Sequence, residues 1–183
     1  LDKIKQVVDV RDGEIMFGLN MVVHKGKTIF VGDTSVHEYP TSEQMAEMAI
    51  STARVVRLFG FDPKVAFVSH STFGQPLTSR TKHIRKAVDI LKEKEVDFEF
   101  DGDMQPDVAL NPEYEELYPF SKIVGKANIL IMPGQHSAAI SYKMMKTLGD
   151  TKVIGPLLIG LGLPIEIAPL RSSTSELINL ASI

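Results

Sequence analysis

Cysteine is absent from the 183 residues. Without it there is no disulfide framework and no thiolate chemistry. No apolar run approaches the ~18 residues of a membrane span, so no membrane partner is expected. Neither sign of charge prevails: 20 Lys and Arg stand against 23 Asp and Glu, a net charge of −3. That balance argues against a general nucleic-acid binder. Leu1-Asp2-Lys3-Ile4 has no h-region of a signal peptide, and a cytoplasmic location is expected. A chain that opens on Leu rather than Met is expected to be a fragment of a longer polypeptide. Phosphate loops of the G-x-x-x-x-G-K-[ST] type and G-x-G-x-x-G turns are missing. The histidines His24, His37, His70, His83 and His136 are not paired at metal-ligand spacing, so zinc is not expected. No Ser-His-Asp set can be assembled from the sequence.

What remains is an ordinary globular composition, with 44% hydrophobic and 23% charged residues. A chain this long buries about two thirds of its unfolded surface and needs no staples. Met16 to Val23 and Thr28 to Val31 read as strands joined by a tight Lys25-Gly26 turn. Pro40-Thr41-Ser42 opens a helix whose stripe includes Met45, Met48, Ala49, Thr52, Val55, Val56 and Phe59. Gly60 suits its end. Val65 to Val68 reads as a strand covered on both faces. Further helices are expected over Arg80 to Lys94, Pro106 to Leu110, Ala138 to Leu148 and Ser173 to Ile183. Further strands are expected at Phe98 to Phe100, Ile129 to Met132, Val153-Ile154 and Ile165 to Ala168. Alternation at this spacing predicts an α/β domain, a mainly parallel sheet flanked by helices. The irregular stretch Asn111 to Gly125 is the best candidate boundary but is expected to stay within one domain.

Four groups of residues invite a functional reading, and each has a plainer one. The loop Ser69-His70-Ser71-Thr72-Phe73-Gly74 follows a buried strand, where backbone N–H groups and hydroxyls can meet an anion. It also reads as a polar turn. Arg80, Lys82, His83, Arg85 and Lys86 crowd a helix start, against the helix dipole. They suit a polyanion or an acidic partner, or a solvated face balanced by Asp89, Glu93 and Glu95. Asp97, Glu99, Asp101, Asp103 and Asp107 could hold Mg²⁺, or border a cleft or face solvent. Lys143 could reach a phosphate or an adenine edge, or lie on the surface.

The tail carries the most specific pattern. Gly155-Pro156-Leu157-Leu158-Ile159-Gly160-Leu161, then Leu163-Pro164-Ile165, then Glu176-Leu177-Ile178-Asn179-Leu180-Ala181 resembles the close of the phosphotransacetylases. Asp33-Thr-Ser-Val-His-Glu-Tyr-Pro40, Val65-Ala-Phe-Val-Ser-His-Ser-Thr-Phe-Gly74 and Asp107-Val-Ala-Leu-Asn-Pro-Glu113 extend the likeness. So do Tyr118-Pro-Phe-Ser121, Gly125-Lys-Ala-Asn128 and Met132-Pro-Gly-Gln-His-Ser-Ala138. Over nearly its whole length the chain is similar to the phosphotransacetylase-like C-terminal domain fused to bacterial NADP-dependent malic enzymes.

The resemblance implies a fold like that of isocitrate and isopropylmalate dehydrogenases, with the chain as second lobe. Residues 1–168 would be the α/β lobe, and 169–183 a tail helix packing toward a preceding lobe outside this chain. It implies a CoA cleft touched by Ser69, Ser71, Thr72, Gly74, Lys143, Gly155, Pro156, Arg171 and Glu176. The family's catalytic Ser-Arg pair falls on Pro169-Leu170, which offer no donor and no base. No catalytic residue and no metal site are therefore expected here. The implied function is a degenerate, regulatory domain that binds acetyl-CoA as an inhibitor and supports homo-oligomers. NADP and Mg²⁺ or Mn²⁺ would belong to a malic enzyme catalytic domain in cis. The competing expectation is an active phosphate acetyl- or butyryltransferase.

Overall fold

The computed structural model describes residues 2–182. Fourteen elements follow one another, beginning with a short helix α1 (Asp2–Lys5) and the hairpin β1 (Phe17–His24) and β2 (Lys27–Gly32). The turn is at Lys25-Gly26, where both φ angles are positive, and the pairing is antiparallel as expected. Next come α2 (Ser42–Leu58), β3 (Lys64–Val68), α3 (Ser79–Glu93), β4 (Glu99–Met104) and α4 (Pro106–Leu110). A 3₁₀ turn (Pro112–Leu117) leads to β5 (Ile129–Ile131), α5 (Gln135–Leu148), β6 (Thr151–Ile159), β7 (Ile165–Glu166) and α6 (Thr174–Ala181).

The helix starts are written in hydroxyls. Thr41, Thr78 and Ser173 each accept from the N3 backbone N–H, and each N3 side chain returns the bond. α2 presents Met45, Met48, Ala49, Thr52 and Val56 of the expected stripe to the core, together with Ala53, while Val55 and Phe59 are partly buried against it. α3 buries Ile84, Ala87, Val88 and Leu91.

The seven strands form one sheet in the order β4-β3-β5-β2-β1-β6-β7. β4, β3, β5 and β2 run parallel, while β1, β6 and β7 are joined by antiparallel pairings. The expected mainly parallel sheet is therefore a mixed one, parallel in three of its six pairings. The cause is the β1–β2 hairpin, which reverses direction at the sheet's centre.

Side chains alternate across the sheet. Phe30, Val65, Phe67, Ile129 and Ile131 meet α2 and α3, whereas Val31, Ala66, Val68 and Leu130 meet the α4 and α5 side. No helix among the described residues is long and apolar enough to cross a membrane.

One expectation about the tail changes. The strand expected at Val153-Ile154 runs on through Gly155-Pro156 as the nine-residue strand β6, with a register shift opposite Leu19 and Met21 of β1. The tail helix packs on β6 and buries Leu180.

Candidate functional site: a cleft between β6, α5 and α6

Gly149 ends α5, donating its N–H to Met145 O at 3.0 Å. β6 starts two residues later, with Thr151 Oγ1 2.9 Å from His24 Nδ1. The chain then returns through β7, and α6 comes to lie beside α5. Lys146 Nζ donates to Glu176 Oε1 at 2.9 Å and closes one side. Between them is a cleft of about 310 Å³, with Tyr142 and Lys146 on one wall and Gly155 and Pro156 in the floor. Pro169, Ser172, Ser175 and Asn179 complete it.

Gly155 is required there. Its φ is +118°, and a Cβ would lie 2.7 Å from Asn20 Oδ1 and 2.8 Å from Leu19 O. Beneath it, the Asn20 amide is fully buried, and neither its nitrogen nor its oxygen has a hydrogen-bond partner among the described residues. A donor and an acceptor thus lie directly under the cleft floor. Nothing in the sequence pattern marked Asn20, which sits in an otherwise apolar strand.

Glu176 lines the cleft but is engaged. It accepts from Ser173 N at 2.8 Å and from Ser173 Oγ at 3.0 Å, besides Lys146. The Ser173 backbone N–H, then Lys146 and the Ser173 hydroxyl, hold its carboxyl down at about 2, against an ordinary 4.5. A carboxyl depressed on folding stabilises above its unfolded value and loses that contribution as pH falls through its folded one. We expect α6 to loosen as pH falls from 4.5 toward about 2, seen as faster proteolysis of the tail. Glu176→Gln should loosen the tail at neutral pH and flatten this dependence. If the tail of Glu176→Gln keeps the same protection as wild type at pH 7, the pair does not fasten it.

The remaining expected site residues are dispersed. Lys143 is exposed and outside the lining, with its Nζ 5.9 Å from the Tyr142 ring. Leu170 and Arg171 are exposed and also outside it. Ser69 lines a different cleft, at the carboxyl ends of β3 and β5. β3 and β6 are separated by β5, β2 and β1, so the two clefts are about 19 Å apart across the strands.

Ser71, Thr72 and Gly74 build a turn around Asp103. The Ser71 hydroxyl donates to Asp103 Oδ2, Gly74 N–H to Asp103 Oδ1 at 3.0 Å, and Gln105 N–H to Thr72 Oγ1 at 3.2 Å. Asp103, expected at a cleft edge or in solvent, is completely buried. The cationic helix start also resolves into separate contacts. Lys86 pairs with Glu43 at 2.7 Å, His83 Nε2 donates to Pro40 O at 2.9 Å, and Arg80 lies 5.1 Å from the Tyr39 ring centre.

Comparison with known proteins gives this geometry its setting. A NADP-dependent malic enzyme of Rhizobium meliloti is 44% identical over 183 residues, all of this chain and 24% of that protein. The chain thus spans about a quarter of the malic enzymes it matches. A phosphate acetyltransferase of Bacillus subtilis is 31% identical over 180 residues, 97% of this chain and 56% of that one. A crystal structure of a phosphotransacetylase from Streptococcus pyogenes superposes with a TM-score of 0.89 at 30% identity, covering 96% of this chain and 55% of that one. The EutD phosphotransacetylase from Staphylococcus aureus gives 0.87 at 27%, covering 97% and 56%. A model of the phosphate acetyl/butaryl transferase family matches residues 1–183, and the chain belongs to that family.

Proposed function

We propose that this chain is the acyl-CoA-binding, regulatory part of a malic enzyme, with no acyl transfer of its own. One observation carries the reading. The cleft stands open beside β6, and the positions on which the resemblance sets the family's Ser-Arg pair hold Pro169 at its wall and Leu170 outside it. Neither side chain can donate to a developing oxyanion. The floor and walls suit a long thioester with amides in its arm: apolar surface from Tyr142, Ile154 and Pro156, hydroxyls at Ser172 and Ser175, and the Lys146 cation.

The parent would oxidise malate with NADP and a divalent metal in a separate catalytic domain, which fits the malic enzymes that share this segment. Inhibition by acetyl-CoA would act as feedback, because pyruvate precedes it. The ligand must favour one arrangement of the assembly, since equal affinity for both shifts nothing. Association has a surface available: Ile140, Met144 and Leu148 recur along α5, 59%, 55% and 84% exposed.

Ser175→Trp tests the cleft. Ser175 is exposed on α6, so the fold tolerates the change while the indole fills the opening. Acetyl-CoA should then lose its effect on malate oxidation, and turnover without acetyl-CoA should stay within about twofold. A parent enzyme indifferent to saturating acetyl-CoA would overturn the regulatory reading. Inhibition retained in Ser175→Trp would move the site elsewhere.

A further inference from the structure

Asn20 is the one polar residue in the fully buried part of β1. Phe17, Leu19 and Met21 face the α2 side of the sheet, and Val22 faces the α5 side. Alternation sets Asn20 on the face of Val22. Tyr142 of α5 and Val153 of β6 pack on that same face and also line the cleft. An amide thus sits where hydrocarbon would pack. Neither its Nδ2 nor its Oδ1 has a partner among the described residues, and a buried amide left unbonded weakens a fold.

The bulge shows what the amide lies against. Leu19 is paired with Leu157 and Met21 with Ile154, so Asn20 alone stands opposite two residues of β6, Gly155 and Pro156. Bulges re-aim side chains and recur beside binding sites. On its other side Asn20 is paired with Val31 of β2. Toward β6 it has no paired residue, so the floor parts there without breaking a strand pairing. Gly155 covers the amide from the cleft side and has no side chain to stand in the way.

We propose that Asn20 is a specificity-determining residue of this cleft, reading an amide of the ligand's arm. Its Nδ2 donates to a carbonyl of that arm and its Oδ1 accepts from an N–H, past Gly155 or through one water. The assignment rests on the acyl-CoA reading above and adds which part of the ligand is read: the amide-bearing arm between thioester and nucleotide, and not the nucleotide. Tyr142, Ile154 and Pro156 offer the arm's methylenes apolar surface beside the glycine. With the arm in place they crowd out water, and a hydrogen bond at the floor gains weight in those surroundings. A hydrocarbon arm of the same length would leave the amide unpaired and be rejected.

Calorimetry of the polypeptide that carries this chain tests the assignment, with acetyl-CoA, pantetheine and ADP as separate ligands. Asn20→Val removes both amide groups and suits a strand. It should bind acetyl-CoA and pantetheine at least about tenfold more weakly than wild type, and ADP within about twofold. The midpoint of its urea unfolding without ligand should stay level or rise, because an unpaired amide has left the interior. Asn20→Ser keeps a hydroxyl that donates and accepts, so it should lose less acetyl-CoA affinity than Asn20→Val.

A lowered midpoint with unchanged acetyl-CoA affinity would make the amide purely structural and overturn the proposal. Loss of ADP binding with pantetheine binding intact would overturn it too, by moving the amide's partner to the nucleotide. A wild type that takes up no acetyl-CoA would overturn the acyl-CoA reading and this one with it. Acetyl-CoA bound equally well by wild type and both Asn20 variants would overturn this one alone.

Discussion

The polypeptide that carries this chain is expected to make acetyl-CoA from acetyl phosphate and CoA at least ~10²–10³ times more slowly than a working acyltransferase. That factor is the usual cost of losing a single oxyanion donor, and the resemblance sets both members of the family's Ser-Arg pair on Pro169 and Leu170. Pro169 has no hydrogen to give and Leu170 projects into solvent. Ser172 keeps a hydroxyl on the cleft wall, but the one carboxylate beside it, Glu176, is locked by Ser173 and Lys146 and held at about 2. A base so acidic takes up no proton at neutral pH. Following thioester absorbance with the purified protein decides the matter. Turnover on the order of 10 s⁻¹ would restore the transferase reading.

Asp33→Ala should be among the most damaging single substitutions, costing about 4 kcal/mol or more. Asp33 follows β2 and is fully buried. Its carboxylate accepts from Gly18 N and Ser35 N at 2.8 Å, Val36 N at 3.1 Å, His37 N at 2.7 Å and His37 Nδ1 at 2.7 Å. Alanine strands these donors, and each orphaned group costs about 1–3 kcal/mol before water intrudes. Asp33→Asn keeps one acceptor and sets an amide against the other donors, so its loss should be roughly half as large. Urea unfolding measures both. The effect should reach the start of α5 too, because this loop supplies His37 O, which accepts from Gln135 N at 2.9 Å. A loss below about 1 kcal/mol for Asp33→Ala would mean that the loop is held by something else.

Helices were the legible part of this fold. Apolar residues at 3.6 spacing and hydroxyls at Thr41 and Ser173 announce α2 and α6 because these signals are local. β6 was legible only at Val153-Ile154, since Gly155-Pro156 carries the mark of a turn while the bulge opposite Asn20 absorbs it within a strand. Sheet direction was half legible. The Lys25-Gly26 turn identified the hairpin, but no local residue says that β1 will take β6 as its second neighbour.

The candidate site was split for the same reason. Ser69 and Gly155 look like parts of one motif set in the sequence, and three intervening strands keep them apart. Asp103 was misjudged because alternation along β4 shows which residues share a face, and not which face the Ser71 loop covers.

The antiparallel seam between β1 and β6 also sets an order of events. His24 and Thr151, which meet at its end, are 127 residues apart in the chain. The hairpin can form as soon as its own residues exist, yet one side of β1 has nothing to pair with until β6 has been synthesised. Loop closure over such a span is entropically costly and comes late. A ribosome-bound intermediate in which β6 has not yet been made therefore carries an open strand edge at Leu19 to His24.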